Sequence, residues 1–153
     1  MIIREYRSSD LNSMLKLFYD TVHEINIKDY SREQVNVWAP KLLEKEKWKG
    51  FFEDNFTYVA IIEDRIVGFS DLTNEGYLNT MYVHKDYQSK GVGTRLLDRI
   101  EKEAHGLGII KLITEASITS RPFFQKRGFA IVKKQNKKHK DEVFINYIME
   151  KSI

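Results

Sequence analysis

A strand, a glycine-bearing turn and an amphipathic helix follow one another between Tyr77 and His105, and that unit restricts what the rest of the chain can build. Tyr77–Val83 (YLNTMYV) is rich in aromatic and β-branched residues and reads as a strand. Beyond it Leu96, Leu97, Ile100 and Ala104 share one helical face, while Arg95, Asp98, Arg99, Lys102 and Glu103 fall off it. Gly106 and Gly108 end the pattern. Between strand and helix lies Gln88-Ser89-Lys90-Gly91-Val92-Gly93-Thr94. Two glycines at the mouth of a helix let the backbone curl until several N–H groups converge, and the helix N-terminus adds partial positive charge. Such a turn suits a phosphate or pyrophosphate. The plainer reading is a strand-to-helix connection whose glycines only relieve strain. The dinucleotide fingerprint fails, because Gly91-Val92-Gly93-Thr94-Arg95-Leu96 has leucine where a third glycine is needed. The triphosphate loop fails too, for want of Gly-Lys-Ser/Thr at its spacing.

The chain of 153 residues, 42% of them hydrophobic, is long enough for one domain spanning residues 1–153. It has no Cys, which removes disulfides, thiolate metal sites and a cysteine nucleophile. The start, Met1-Ile2-Ile3-Arg4-Glu5-Tyr6, is too polar for a signal peptide, and no long apolar run suggests a membrane span. A cytoplasmic location is the default expectation. The net charge of +3 does not argue for nucleic acid, and it tolerates an anionic ligand.

In chain order, Ile2–Tyr6 reads as a strand and Ser8-Ser9-Asp10 as a helix start. Leu11, Met14, Leu15, Phe18 and Val22 form the apolar stripe of that helix. An irregular segment, Thr21 to Tyr30, follows. Ser31 can cap a second helix with Gln34 as its capping-box partner, Val35 and Trp38 facing inward and Pro40 closing it. A charged helix is expected over Lys41–Lys49. Phe56–Ile62 and Arg65–Leu72 flank Glu63-Asp64 as an antiparallel hairpin, and Gly68 within it suggests a bulge or a close approach. Thr73–Gly76 then turns the chain into Tyr77–Val83. After the Leu96 helix come a parallel strand Lys111–Ser117, a short helix Arg121–Lys126 carrying Pro122 in its first turn, and a hairpin of Phe129–Lys133 with Glu142–Glu150. The lysine-rich connector of that hairpin reads as a solvated tip, since no aromatic residues interleave as a nucleic-acid patch would need.

Gln88-x-x-Gly91-x-Gly93 resembles the acyl-CoA pyrophosphate loop of the GNAT N-acetyltransferase superfamily. The order of elements resembles that family over almost the whole chain. Phe124-Gln125-Lys126-Arg127-Gly128-Phe129 resembles its Tyr-x-Lys-x-Gly-Phe, and Tyr82 to Gln88 resembles its lead into the loop, with Lys85 where proline is common. The segment His23 to Tyr30, Trp38-Ala39-Pro40 and Glu115-Ala116-Ser117 resemble a bacterial branch labelled YafP-like.

The resemblance implies an α/β (α+β) fold: a mixed central sheet of about seven strands, helices on both faces, and strands splayed at the acyl-CoA site. It implies acetyl-CoA as co-substrate and no metal. The backbone of Met81, Tyr82 and Val83 would pair with the pantetheine arm, as an added strand would. Gln88, Ser89, Lys90, Gly91, Val92, Gly93 and Thr94 would take the pyrophosphate, with charge from Lys90 and Arg95. Ser117, Phe123 and Phe124 fall where the family contacts the arm and thiol.

The chemistry implied is attack of a neutral amine on a thioester, which requires a proton acceptor and an oxyanion donor. A backbone N–H at the splay, such as that of Val83, can supply the donor. The tyrosine that commonly protonates the leaving thiolate is replaced by Phe124. His23, Asp71, Tyr77 and Glu115 are the candidates for the base. The acceptor wall falls in Val22 to Trp38, with His23, Tyr30, Trp38 and Asp71 as substrate-binding candidates. Aromatics beside Glu24 and Asp29 suit a cationic amine. Three readings remain open at this point: an N-acyltransferase acting on a small-molecule or protein amine, a non-catalytic acyl-CoA-binding module, and an interaction protein using the basic hairpin. The chain is expected to be a monomer or a homodimer, without a nucleic-acid or membrane partner.

Overall fold

The computed structural model describes residues 1–153. Seven strands form one sheet in the order β1-β2-β3-β4-β5-β7-β6. They are β1 (Ile2–Glu5), β2 (Phe56–Ile62), β3 (Arg65–Leu72), β4 (Tyr77–Val83), β5 (Lys111–Ser117), β6 (Ala130–His139) and β7 (Glu142–Ser152). All neighbours are antiparallel except β4 and β5, the pair joined through a helix. The helices are α1 (Leu11–Glu24), α2 (Arg32–Trp38), α3 (Lys45–Asp54), α4 (Val92–Gly106) and α5 (Arg121–Lys126). None is long and apolar enough to cross a membrane.

Strand alternation divides the core in two. Tyr58 and Ala60 point to the layer of α4 and α5, where they meet Leu96, Leu97, Ile100 and Phe124. Val59 and Phe69 point the other way, into the layer of α1, α2 and α3 with Met14, Phe18, Val35 and Phe52. The expected stripe of α1 is buried throughout. At α2 the capping box forms as expected: Gln34 N–H donates to Ser31 Oγ at 3.0 Å, and Ser31 N–H donates to Gln34 Oε1 at 2.7 Å. The β2–β3 hairpin turns on Glu63 and Asp64, both at positive φ (50° and 60°), a pairing whose twist matches that of the flanking strands.

Two expected elements are corrected. The third helix runs over Lys45–Asp54 instead of Lys41–Lys49. Its buried face is set by Trp48, Phe51 and Phe52, at spacings of three and four residues, with Trp48 4.5 Å from Phe18 and Phe52 5.4 Å from Phe69 between ring centroids. Leu42 lies outside the helix and is 89% exposed. The lysine-rich connector is not a tip: β6 continues to His139 and pairs residue by residue with β7 down to Glu142, so the turn is only Lys140-Asp141. Ladder hydrogen bonds come from the backbone and persist where both faces of an edge strand are polar. Lysines on such an edge discourage pairing with a further chain.

Gly68 borders a bulge in its own strand, where Ala60 pairs with Gly68 and Ile61 with Ile66, leaving Val67 unpaired. A Cβ there would lie 2.8 Å from Val92 Cγ1, 3.0 Å from Leu96 Cδ1 and 3.1 Å from the Tyr82 carbonyl. The missing side chain lets the first turn of α4 rest on the sheet. Gly68→Val is expected to destabilise the fold by roughly 1–3 kcal/mol in a urea titration, as overpacking against a helix does.

Candidate active site

β4 and β5 pair only through Tyr77 with Ile113 and Leu78 with Thr114. Thr114 Oγ1 closes the fork by donating to the Leu78 carbonyl at 2.9 Å. Beyond this point the strands diverge. His84 N–H still donates to Val67 O on β3, so the alternation of the ladder turns the N–H and C=O of Val83 and Met81 toward the open side. The Val83 carbonyl is taken there by Thr21 Oγ1 at 3.0 Å and Gln88 Nε2 at 2.7 Å, which leaves the N–H groups as the edge donors. Of the three expected edge residues, Tyr82 is the exception: its backbone faces Phe69 on β3.

The divergence opens a groove of about 530 Å³. Its lining includes Met81, Tyr82, Val83, Gln88, Ser89, Gly91, Val92, Gly93, Thr94, Ser117, Phe123 and Phe124, nearly the whole expected donor set. Ser89 and Gly91 adopt left-handed φ values of 59° and 82°, which curl the loop into α4. Arg95 N–H makes the first helical bond, to Gly91 O, so the preceding N–H groups of Val92, Gly93 and Thr94 face the groove mouth without helical partners. A Cβ on Gly93 would meet the Phe123 ring at 3.1 Å, so only glycine lets loop and α5 close together. Two expected cations lie elsewhere. Lys90 does not line the groove and sits over the Tyr87 ring at 5.3 Å, and Arg95 reaches the Met1 carbonyl at 3.4 Å. Lys126 and Arg127 line the groove instead, Arg127 donating to Thr94 Oγ1 at 2.6 Å.

A second cavity, of about 330 Å³, adjoins the groove at the fork, and the two share Trp38, Asn79, Tyr82, Glu115 and Ser117. Tyr30, Trp38, Tyr77, Tyr82 and Phe144 form its aromatic walls. Trp38 Nε1 donates to the Tyr82 hydroxyl at 3.2 Å, and Tyr30 stands edge-on to Trp38 at 5.3 Å. Tyr30 is braced by its own hydroxyl, which donates to Ile145 O at 2.7 Å and accepts from Ile118 N–H at 2.9 Å. Tyr77 and Tyr82 are five residues apart, yet both line the cavity. A bulge makes this possible: Thr80 pairs with Asp71 and Leu78 with Leu72, so Asn79 has no partner on β3 and the alternation reverses there.

The four base candidates separate cleanly. His23 lines neither cavity; its Nε2 bonds the Ala39 carbonyl at 2.7 Å and its ring stacks on Tyr19 at 4.1 Å. Asp71 is fully buried beneath the bulge and likewise lines neither. Tyr77 faces the second cavity, but burial, then the charges of Glu115 and Asp71, push its phenol up to about 12. It keeps its proton at neutral pH and cannot accept one. Glu115 faces both cavities and is held by Lys137 Nζ at 2.5 Å. Glu24 and Asp29, expected beside the aromatics, are occupied by Lys85 at 3.3 Å and Thr119 Oγ1 at 2.8 Å. Ser117 reaches the junction, though its hydroxyl is engaged with Ser120.

Residues not anticipated from the sequence are Asn79, Lys137, His139 and Asn146, all at the second cavity. Lys137 and His139 were hidden in the supposed tip. Extending the alternation of β7 across its partner would have placed them.

Residues 26–151 match the family model for the acetyltransferase (GNAT) domain. The chain is 31% identical, over 96% of its length and 93% of the relative's, to YafP of Escherichia coli K12, described as an uncharacterized N-acetyltransferase. It is similar to a crystal structure from Rhodopseudomonas palustris, described as a GCN5-related N-acetyltransferase and as a class-II aminotransferase. That match has a TM-score of 0.95 and 30% identity over 99% of this chain and 95% of that one. The PaiA N-acetyltransferase of Thermoplasma acidophilum, solved with coenzyme A, shares the fold at a TM-score of 0.82 and 22% identity, over 99% and 98% of the two chains.

In ¹³C-tyrosine NMR the Tyr77 resonance should stay unmoved up to about pH 10. Glu115→Gln should bring its titration down, because a nearby negative charge opposes ionisation. Titration of Tyr77 at an ordinary phenol pKa would contradict the buried setting.

Proposed function

The chain belongs to the GNAT acetyltransferase family and is a transferase enzyme, and on that premise we propose that it moves acetyl from acetyl-CoA directly to a primary amine. One unit, residues 1–153, carries both halves of the site, and the reaction belongs in the cytoplasm. The observation that carries the reading is that the two cavities meet at the β4–β5 fork and share five lining residues there, Glu115 among them. A donor laid along β4 would present its thioester where the acceptor cavity opens.

The residues present fit the donor. The loop Gln88–Thr94 offers converging N–H groups and a helix N-terminus to a pyrophosphate, with Lys126 and Arg127 beside it. The edge of β4 offers Met81 and Val83 N–H groups to an amide-bearing arm. On the acceptor side, the aromatic walls attract a cationic amine. A cavity of about 330 Å³ suits a compact small-molecule amine.

Glu115 is the proton acceptor in this reading. It pairs with Lys137 Nζ at 2.5 Å and faces both cavities. The bound ammonium gives up one proton to water, and the neutral amine then attacks the thioester carbon, forming C–N. The oxygen bears the developing charge and meets the Met81 N–H, the open-edge donor nearer the fork, while the Val83 N–H stays with the arm. Collapse breaks C–S, the thiolate leaves, and the surplus amine proton passes to Glu115. Phe124 is buried to 2% exposure among Phe123 and Phe129 and offers no proton. A thiolate whose conjugate acid has a pKa of about 8.5 leaves without one.

Acetyl-CoA at millimolar concentration should raise the melting temperature by several degrees, as a ligand bound only by the folded state does. Gly93→Trp should abolish that rise. Glu115→Gln should keep it while slowing thiol release, in a panel of primary amines, by about 10²–10⁴-fold. No melting shift in the wild type sinks the donor reading; a shift without thiol release from any amine sinks the transfer reading.

A further inference from the structure

Asp71 gathers three donors below the sheet, and two of them come from the bulge residues of β4. Thr80 Oγ1 donates to Oδ1, while Asn55 Nδ2 and Asn79 Nδ2 donate to Oδ2 at 2.9 and 3.0 Å. Asp71 is 0% exposed, and each of its oxygens accepts. Oδ2 accepts from Asn55 and Asn79 together and Oδ1 from Thr80, so the pocket around Asp71 is arranged for donors. The nitrogen of Asn79 therefore faces Asp71. The carbonyl oxygen Oδ1 accepts from no protein group and is what the side chain has left for the cavities, both of which Asn79 lines.

Asn79 is also the residue that the bulge leaves without a cross-strand partner, at the point where the groove and the aromatic cavity meet. Glu115 lines the same junction from β5. An amine poised there has more than one N–H: one can pass to the carboxylate, and another needs an acceptor that holds the nitrogen lone pair in line. Resting on the reading that the aromatic cavity takes an amine, we propose that Asn79 Oδ1 accepts a hydrogen bond from the acceptor amine, and that buried Asp71 is a positioning residue that locks the Asn79 amide in the accepting orientation. The site thereby favours donors: an amine is held, while an ether or a neutral tertiary amine, with no N–H or O–H, gains nothing from Asn79.

The experiment titrates CoA-loaded protein with benzylamine, whose ring suits the aromatic walls, and follows backbone and Asn side-chain amides by NMR. Asn79→Ala leaves Asp71 its Thr80 and Asn55 donors. It should weaken benzylamine about tenfold when both proteins are saturated with CoA. Asp71→Asn should shift the Asn79 side-chain amide resonances and weaken benzylamine by a similar factor. In the double variant Asp71→Asn with Asn79→Ala the losses should not add, because both changes act through one oxygen. Should Asp71→Asn fail to fold, Asn79→Ala alone decides. Equal benzylamine affinity in wild type and Asn79→Ala, no benzylamine binding to the wild type, or fully additive losses would overturn the proposal. Failure of the donor reading shows separately, as absence of the CoA melting shift.

Discussion

β4 and β5 pair over Tyr77 with Ile113 and Leu78 with Thr114, and the backbone beyond is left with hydrogen-bonding groups that the sheet does not satisfy. Backbone N–H and C=O groups are strong donors and acceptors, and folded chains rarely leave them unpaired away from water. Here the fold answers part of the demand locally, with Thr21 and Gln88 on the Val83 carbonyl, and leaves the N–H groups of Met81 and Val83 along an open groove. The divergence is held in place from below. The bulge at Asn79 shifts the register of β4, and the buried Asp71 network ties both bulge residues down. Burial pushes the Asp71 carboxyl up, and hydrogen bonds from Thr80, Asn55 and Asn79 only partly offset this. A buried carboxylate set among donors contributes definition more than stability.

The same divergence explains how two different chemistries share one sheet. On the α4 side the groove is built for an extended anion: glycine turns, unpaired N–H groups and two basic side chains. On the α1–α2 side the cavity is aromatic, with Glu115 lining both. Reversal of strand alternation at Asn79 lets Met81 and Val83 serve the first side while Tyr77 and Tyr82 serve the second. Lys137 comes from the outermost strand yet pairs with Glu115, so the edge hairpin contributes to the wall of the aromatic cavity.

The donor half was legible because its information is local. Glycine spacing, strand composition and helical periodicity all lie within Tyr77 to His105, and β2, β3, β4, β5 and α5 fall where the sequence pattern puts them. Even so, Lys90 and Arg95 were assigned by proximity in the chain, whereas Lys126 and Arg127 reach the groove through packing of α5 on α4. The acceptor half was illegible for a related reason. Its walls come from α2, β4, β5, β6 and β7, and no short window of sequence encodes their meeting. β6 in particular is polar on both faces, so side-chain alternation carried no signal of a strand. His23 lies in the segment expected to form the acceptor wall, but its ring is spent on Ala39 and Tyr19.

The central claim is that the unpaired edge of β4 and the α4 N-terminus together hold an acyl-CoA. Amide hydrogen exchange with and without acetyl-CoA tests it at the level of single backbone groups, since exchange reports the opening of individual hydrogen bonds. The account predicts slowed exchange at Met81, Val83 and Val92 to Thr94, with little change in β1, β2 or the core of α1. Slowed exchange confined to the β6–β7 hairpin, or none at Met81 and Val83, would contradict it.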